Sequence, residues 1–263
     1  ILIMEDIYMF FVLNKQKIIA YGVSVLTVVF LFCIASGINE NKETIETSAN
    51  NQKLLPIYNV ETTENKVAFT MNCAWNADDI DSILETLRNN NTKITFFVVG
   101  EWVDKYPEAV KKMAEEGHEI ASHSNTHPKV NNLSYEENVK EIESSVEKIE
   151  KITGKKTNLY RPPYGEYNNT VISSAEDKGY KSIQWNLDTL DYTGLTGEKM
   201  WKRIEKVKAG DIILSHNGTE HTADSLDMLI KNIKSKKLEV VKVSDLIYKD
   251  NYKINVNGTQ IKN

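Results

Sequence analysis

Three of the five histidines in this chain fall within short segments dense in polar and aromatic residues. His123 and His127 stand four apart in His-Ser-Asn-Thr-His-Pro, and His216 ends the run Leu214-Ser215-His216. Arg161 precedes two prolines and Tyr164, while Asp188 and Asp191 flank Thr-Leu just before Tyr192. An earlier segment reads Thr70-Met71-Asn72-Cys73-Ala74-Trp75-Asn76, with Asp78 and Asp79 beyond it. Two imidazoles converging from one loop can hold a divalent ion, and a cysteine thiolate can join two histidines on zinc. Trp75 offers a flat apolar face to a sugar ring. Asn72, by contrast, cannot accept a proton at neutral pH. His118 and His221 lack such company and read as supporting or surface histidines, and Trp102 and Trp185 as core aromatics.

The elements that position these segments follow from hydrophobic rhythm. Short β-rich runs occur at Val67–Thr70, Ile94–Val99, Glu119–Ser122, Asn158–Arg161, Ser182–Asn186, Asp211–Ser215 and Glu239–Lys242. Helical patterns lie between them. Ile80, Ile83, Leu84 and Leu87 recur at three- and four-residue spacing. Ser134 and Glu137 form a capping box for a long helix carrying Val139, Ile142, Val146, Ile149 and Ile152, which Gly154 stops. Seven strand-then-helix units over residues 54–250 imply an α/β domain with a parallel sheet covered by helices. An open sheet and a closed barrel both fit that count. No glycine-rich phosphate loop follows the first strand, which weakens the nucleotide-binding version of the open sheet. In a barrel, functional residues gather just past the C-terminal ends of different strands. The five polar segments occupy those positions.

Composition narrows the function. The chain has 263 residues, with 37 acids against 32 bases and a net charge of −5. Phosphate binding needs clustered cations, so no nucleic-acid partner is expected. Two cysteines build no disulfide framework. Residues Ile18–Ile34 carry no charge and follow Lys15 and Lys17. That pattern predicts an N-terminal signal or membrane-anchor helix within residues 1–38, with the rest of the chain outside the membrane. Residues 39–53 read as a polar linker and residues 251–263 as a C-terminal tail.

In order and spacing, the five segments resemble the motifs of the polysaccharide deacetylases, the NodB-homology domain of carbohydrate esterase family four. The likeness covers about residues 54–248. It implies a distorted, incomplete (β/α) barrel and a metal-dependent hydrolase that removes N-acetyl or O-acetyl groups. Its partner would be an acetylated polysaccharide, of peptidoglycan or chitin-like type. The cofactor would be a divalent metal, zinc first, with cobalt, nickel or manganese as alternatives. By the same likeness His123 and His127 match metal ligands, Arg161 the arginine that orients the base, and His216 the general acid. Tyr164 falls in the oxyanion loop, Leu214 walls the acetyl pocket, and Asp188 or Asp191 supports His216. Trp75 and Tyr192 fall at substrate-binding positions. In that mechanism a carboxylate takes a proton from water and a protonated imidazole gives one to the leaving amine.

The first motif departs from the family. Its usual Thr-Phe-Asp-Asp-Gly supplies the base and a metal ligand, and here those positions are Asn72 and Cys73. A second family branch, with Ala-Ala-Trp-Gly-Ala-Asp-Asp, resembles Cys73 to Asp79 more closely and points to Asp78 or Asp79 as the carboxylate. Acidic residues in a helix's first turn are also favoured simply by its dipole. Two expectations follow: an active extracytoplasmic deacetylase, or a catalytically impaired relative that binds glycan or metal.

Overall fold

The computed structural model describes residues 53–263. The apolar segment Ile18–Ile34 and most of the linker lie outside the described residues. Within them, no helix is long and apolar enough to cross a membrane.

In chain order the elements are β1 (Asn59–Val60), β2 (Lys66–Cys73), α1 (Ile80–Asn89), β3 (Thr95–Val98), α2 (Gly100–Lys105), α3 (Pro107–Glu115) and β4 (Glu119–Ser122). There follow α4 (Tyr135–Thr153), β5 (Leu159–Tyr160), α5 (Asn169–Glu176), β6 (Lys181–Ser182), β7 (Leu187–Asp188), α6 (Gly197–Ile204) and β8 (Ile212–His216). The chain closes with α7 (Thr222–Ser235), β9 (Glu239–Val241), α8 (Val243–Leu246), β10 (Tyr252–Ile254) and β11 (Thr259–Lys262). The main sheet runs β6-β5-β4-β3-β2-β8-β7, with β9 also on β2, and all of its pairings are parallel.

β6 and β7 are the two ends of that order and do not pair with each other, so the sheet curls without closing. A backbone strap bridges this side: Ile57 N–H donates to Ser182 O, Gln184 N–H to Ile57 O, and Val60 N–H to Gly210 O. The result is a curled half-barrel of parallel strands with helices, consistent with the distorted (β/α) barrel that the family likeness implied.

β2 lies inside the sheet, paired with β3, β8 and β9, and its alternation decides what reaches the site. Val67, Phe69, Met71 and Cys73 point toward the helices and join the largest apolar cluster. Ala68 packs in a second cluster inside the curl. Asn72 lies on that same inner face, because successive side chains of a strand take opposite sides. Register sets Asn72 opposite both Phe97 of β3 and His216 of β8. The long helix forms as its sequence requires. Ser134 and Glu137 cap it reciprocally, and Gly154 ends it at φ +66°.

The C-terminus departs from expectation. Residues 251–263 are not a loose tail: β10 and β11 form an antiparallel pair that joins β1 in a separate three-stranded sheet. Gln260 is fully buried there and bonds to Tyr248 through both ends of its amide.

Candidate active site

The strand ends surround a cleft of about 660 Å³, lined by Asn72, Trp75, His123, His127, Tyr164, Asp188, Tyr192, Leu214 and His216 among others. Backbone strain collects around it. Ser124, His127, Tyr164 and Leu190 all have positive φ, from 51° to 66°. Non-glycine residues enter this region at a cost, and such residues concentrate at functional loops.

Arg161 follows β5 and is fully buried, an uncommon place for a guanidinium. Its Nη1 donates to Thr70 Oγ1 at 2.8 Å and to Asn72 Oδ1 at 2.9 Å, and its Nη2 donates to Gln184 O at 3.1 Å. Phe97 lies under the guanidinium, with 4.0 Å to the ring centroid. Burial draws its pKa down to about 9, with Asp188 pulling it partly back. Because arginine only donates, Asn72 must turn its carbonyl oxygen to Arg161, which leaves its NH₂ end toward the cleft. The position therefore presents a donor where a base would present an acceptor.

His123, at the end of β4, is buried, and its Nδ1 lies 2.8 Å from Arg161 O. A carbonyl can only accept, so Nδ1 carries the proton and Nε2 keeps its lone pair. Burial and the neighbouring His127 hold the His123 pKa well below its ordinary value, and burial lowers that of His127. Both imidazoles are thus neutral at pH 7, as metal ligation requires. Their centroids are 4.9 Å apart, and Tyr164 meets His127 at 4.5 Å.

Across the cleft, His216 ends β8. Its Nδ1 lies 2.8 Å from Asp191 Oδ1. Asp191 is fully buried and also accepts from His216 N at 2.6 Å, Thr222 Oγ1 at 2.8 Å and Tyr192 N at 3.0 Å. Asp191, not Asp188, therefore supports the histidine. Asp188 instead accepts from Leu190 N in its own loop while lining the cleft. Trp75 and Tyr192 each stand 5.4 Å from the His216 ring, and both are about half exposed.

Two expected residues are elsewhere. Cys73 is fully buried in the apolar cluster behind the sheet, and burial, with Asp79 nearby, raises its thiol pKa well above normal. A ligand thiolate cannot form there, and strand alternation is the reason. Asp78 is solvent-exposed and its side chain does not line the cleft. Asp79 instead ties two loops together, accepting from Gly218 N at 2.7 Å and Asn217 Nδ2 at 3.1 Å. Among the described residues, no group of three His, Cys, Asp or Glu side chains could hold a metal ion. Catalytic zinc sites use three protein ligands, so the two imidazoles alone fall one donor short.

Sequence reasoning missed Trp185, Glu101 and Lys105 in the cleft wall. The last two sit on α2, just past the C-terminal end of β3, where the strand-end rule would have found them.

Set beside known proteins, residues 59–183 match the family model for polysaccharide deacetylases. YlxY of Bacillus subtilis, an uncharacterised protein, is 33% identical over 193 residues, which cover 73% of this chain and 60% of YlxY. The structure of the peptidoglycan deacetylase PdaC from Bacillus subtilis superposes with a TM-score of 0.64 at 31% identity, covering 71% of this chain and 92% of that one. BA3943 of Bacillus anthracis, described as a CE4 family pseudoenzyme, gives a TM-score of 0.70 at 30% identity, covering 73% and 68%. A BA3943 mutant is described as having restored enzymatic activity. The chain belongs to the polysaccharide deacetylase family, carbohydrate esterase family 4. It spans 60–64% of the length of the curated relatives it matches first. Deacetylases of this family generally depend on a divalent metal, whereas this cleft does not supply a full ligand set.

Proposed function

We propose that this protein is an extracytoplasmic, glycan-recognising member of the deacetylase family. Its cleft takes an acetylated wall-type sugar, and its hydrolytic power is reduced at the base position. The observation that carries this reading is the Arg161–Asn72 contact, in which an amide fills the place of the carboxylate. The missing third metal donor supports it, as does the likeness to a CE4 pseudoenzyme. In the cleft, Trp75 and Tyr192 offer apolar faces to a pyranose, and Leu214 closes the inner wall. Peptidoglycan is the favoured polymer because PdaC acts on it; N- and O-acetyl groups are both accommodated by this reading. The outside location rests on Ile18–Ile34 and the lysines before it.

A second reading, a working deacetylase, is favoured by the intact His216–Asp191–Thr222 array. Asp191 holds the proton on Nδ1 and leaves the other ring nitrogen to protonate a leaving amine. Titration with N-acetylated chitooligosaccharides and peptidoglycan fragments, alongside an assay of released amine or acetate, separates the two. Binding with near-background release is expected, and binding weakens in Trp75→Ala. Rapid release by the wild-type protein would establish the second reading instead. For location, protease added to intact wall-stripped cells should digest the domain; full protection would refute export.

A further inference from the structure

Against a net charge of −5, residues 195–208 are locally basic. Lys199, Lys202 and Arg203 on α6, with Lys206 in the turn after it, line a shallow concavity of about 500 Å³ together with Leu195. All four cations are exposed. Spacings of three and four residues place them on one side, while Met200 and Ile204 are buried on the other. Glu198 and Glu205 flank this face at neighbouring helical angles. None of the four cations forms an ion pair with a carboxylate among the described residues. Total charge conceals this patch, which is why composition alone shows no basic stripe.

The patch adjoins the cleft. Arg203 Nε donates to Asp188 O at 3.2 Å, and Asp188 lines the cleft from the other side. A chain leaving the cleft over this shared wall would meet cations spread over about 10 Å, the axial reach of seven helical residues. An uncharged glycan would gain nothing from such an array. A single acidic group would use only part of it. A concave face also suits a polymer substituent better than a flat bilayer.

We propose that the α6 face is a docking surface for the peptide carboxylates carried by a wall glycan whose acetylated sugar occupies the cleft. It rests on the reading of the cleft as a glycan site, and it adds a requirement for charge beside the acetyl group. The test compares affinities of the full chain for two ligands, an uncharged N-acetylated chitooligosaccharide and a soluble peptidoglycan fragment bearing peptide carboxylates. Both are measured with wild-type protein and with the triple variant Lys199→Gln/Lys202→Gln/Lys206→Gln. At low salt the acidic ligand should bind the wild type more tightly, and the triple variant should lose about tenfold, as three exposed ion pairs imply. Raised salt should erase the difference through screening. Chitooligosaccharide affinity should not change. Equal loss on both ligands would mean the lysines are structural, and no loss on the acidic ligand would overturn the proposal. Binding of anionic phospholipid vesicles that vanishes in the triple variant, with acidic-glycan affinity untouched, would assign the face to a membrane and also overturn it. Failure of the cleft reading is seen separately, as failure of the wild type to bind the uncharged sugar.

Discussion

Arg161 Nη1 lies 2.9 Å from Asn72 Oδ1, and the buried guanidinium is held by this amide, a threonine hydroxyl and two backbone carbonyls, with no carboxylate among the described residues hydrogen-bonded to it. A buried charge without its counter-charge is costly, and breaking such a pair typically costs about 3–5 kcal/mol. The wild-type protein already stands on the broken side of that cycle.

Asn72→Asp should therefore stabilise the fold at neutral pH, by about 2 kcal/mol once the new carboxylate's own desolvation is subtracted. The sign with pH follows from the pairing. Arg161 would hold the pKa of the introduced carboxyl below its unfolded value of about 4, so the gain is full above that value. It is lost as pH falls through the lower folded value. Urea unfolding of both proteins across this range checks the point; a variant no more stable at pH 7 would refute it.

His118 predicts a separate acid sensitivity. Burial lowers its pKa from 6.5 to about 4, Ile94 N donates to its Nδ1, and its Nε2 has no hydrogen-bond partner among the described residues. The unfolded chain takes up a proton below about pH 6.5 that the folded chain refuses until about pH 4. Stability thus falls across that window, by up to about 3 kcal/mol, and then levels. His118→Gln should flatten this part of the profile. An unchanged slope in that variant would locate the acid sensitivity elsewhere.

Cys73 tests the ligand assignment by a different route. In a Cys33→Ser background the native protein should resist thiol reagents and react fully on unfolding, since the buried thiol is neutral. Zinc affinity should be unaffected by Cys73→Ala, which costs about 1–2 kcal/mol of stability through lost packing. His123→Ala should abolish whatever binding exists. Loss of zinc in Cys73→Ala without loss of stability would restore the cysteine to the ligand set.

These contrasts mark what the sequence could and could not convey. Periodicity and capping residues placed the long helix and most strand ends, because local packing and caps obey short-range rules; the run Ser182–Asn186 instead spans the break between β6 and β7. The convergence of His123, Arg161, Asp191 and His216 was legible because strand C-termini share one end of a parallel sheet. The opposite directions of Asn72 and Cys73 needed one further step. Alternation in β2 separates adjacent residues, whereas the motif likeness treats them as a functional pair. Phe69 and Met71 pointing to the helices already fix Cys73 on the same side. The terminal hairpin was missed for another reason. Its only aliphatic residues are Ile254, Val256 and Ile261, too few for a clear strand pattern, and its stability comes from pairing with β1, distant in the chain, which no local pattern reports.

Asn72→Asp places a carboxylate beside Arg161 and opposite His216 in register, so that one group can accept water's proton while the other protonates the leaving amine. General-base catalysis is worth about a hundred- to ten-thousand-fold. Release of amine from an acetylated chitooligosaccharide should rise accordingly over the weak wild type. Asn72→Asp with His216→Ala should lose most of that gain, and Asn72→Asp with Asp191→Asn should lose a comparable share, because the imidazole then loses the partner that fixes its tautomer. The stability measurement separates the modes of failure. If Asn72→Asp stabilises the protein yet releases no amine, the carboxylate is correctly seated and the cleft lacks more than its base, in line with the two-imidazole donor set. If release rises and survives His216→Ala, the acid in this cleft is not His216.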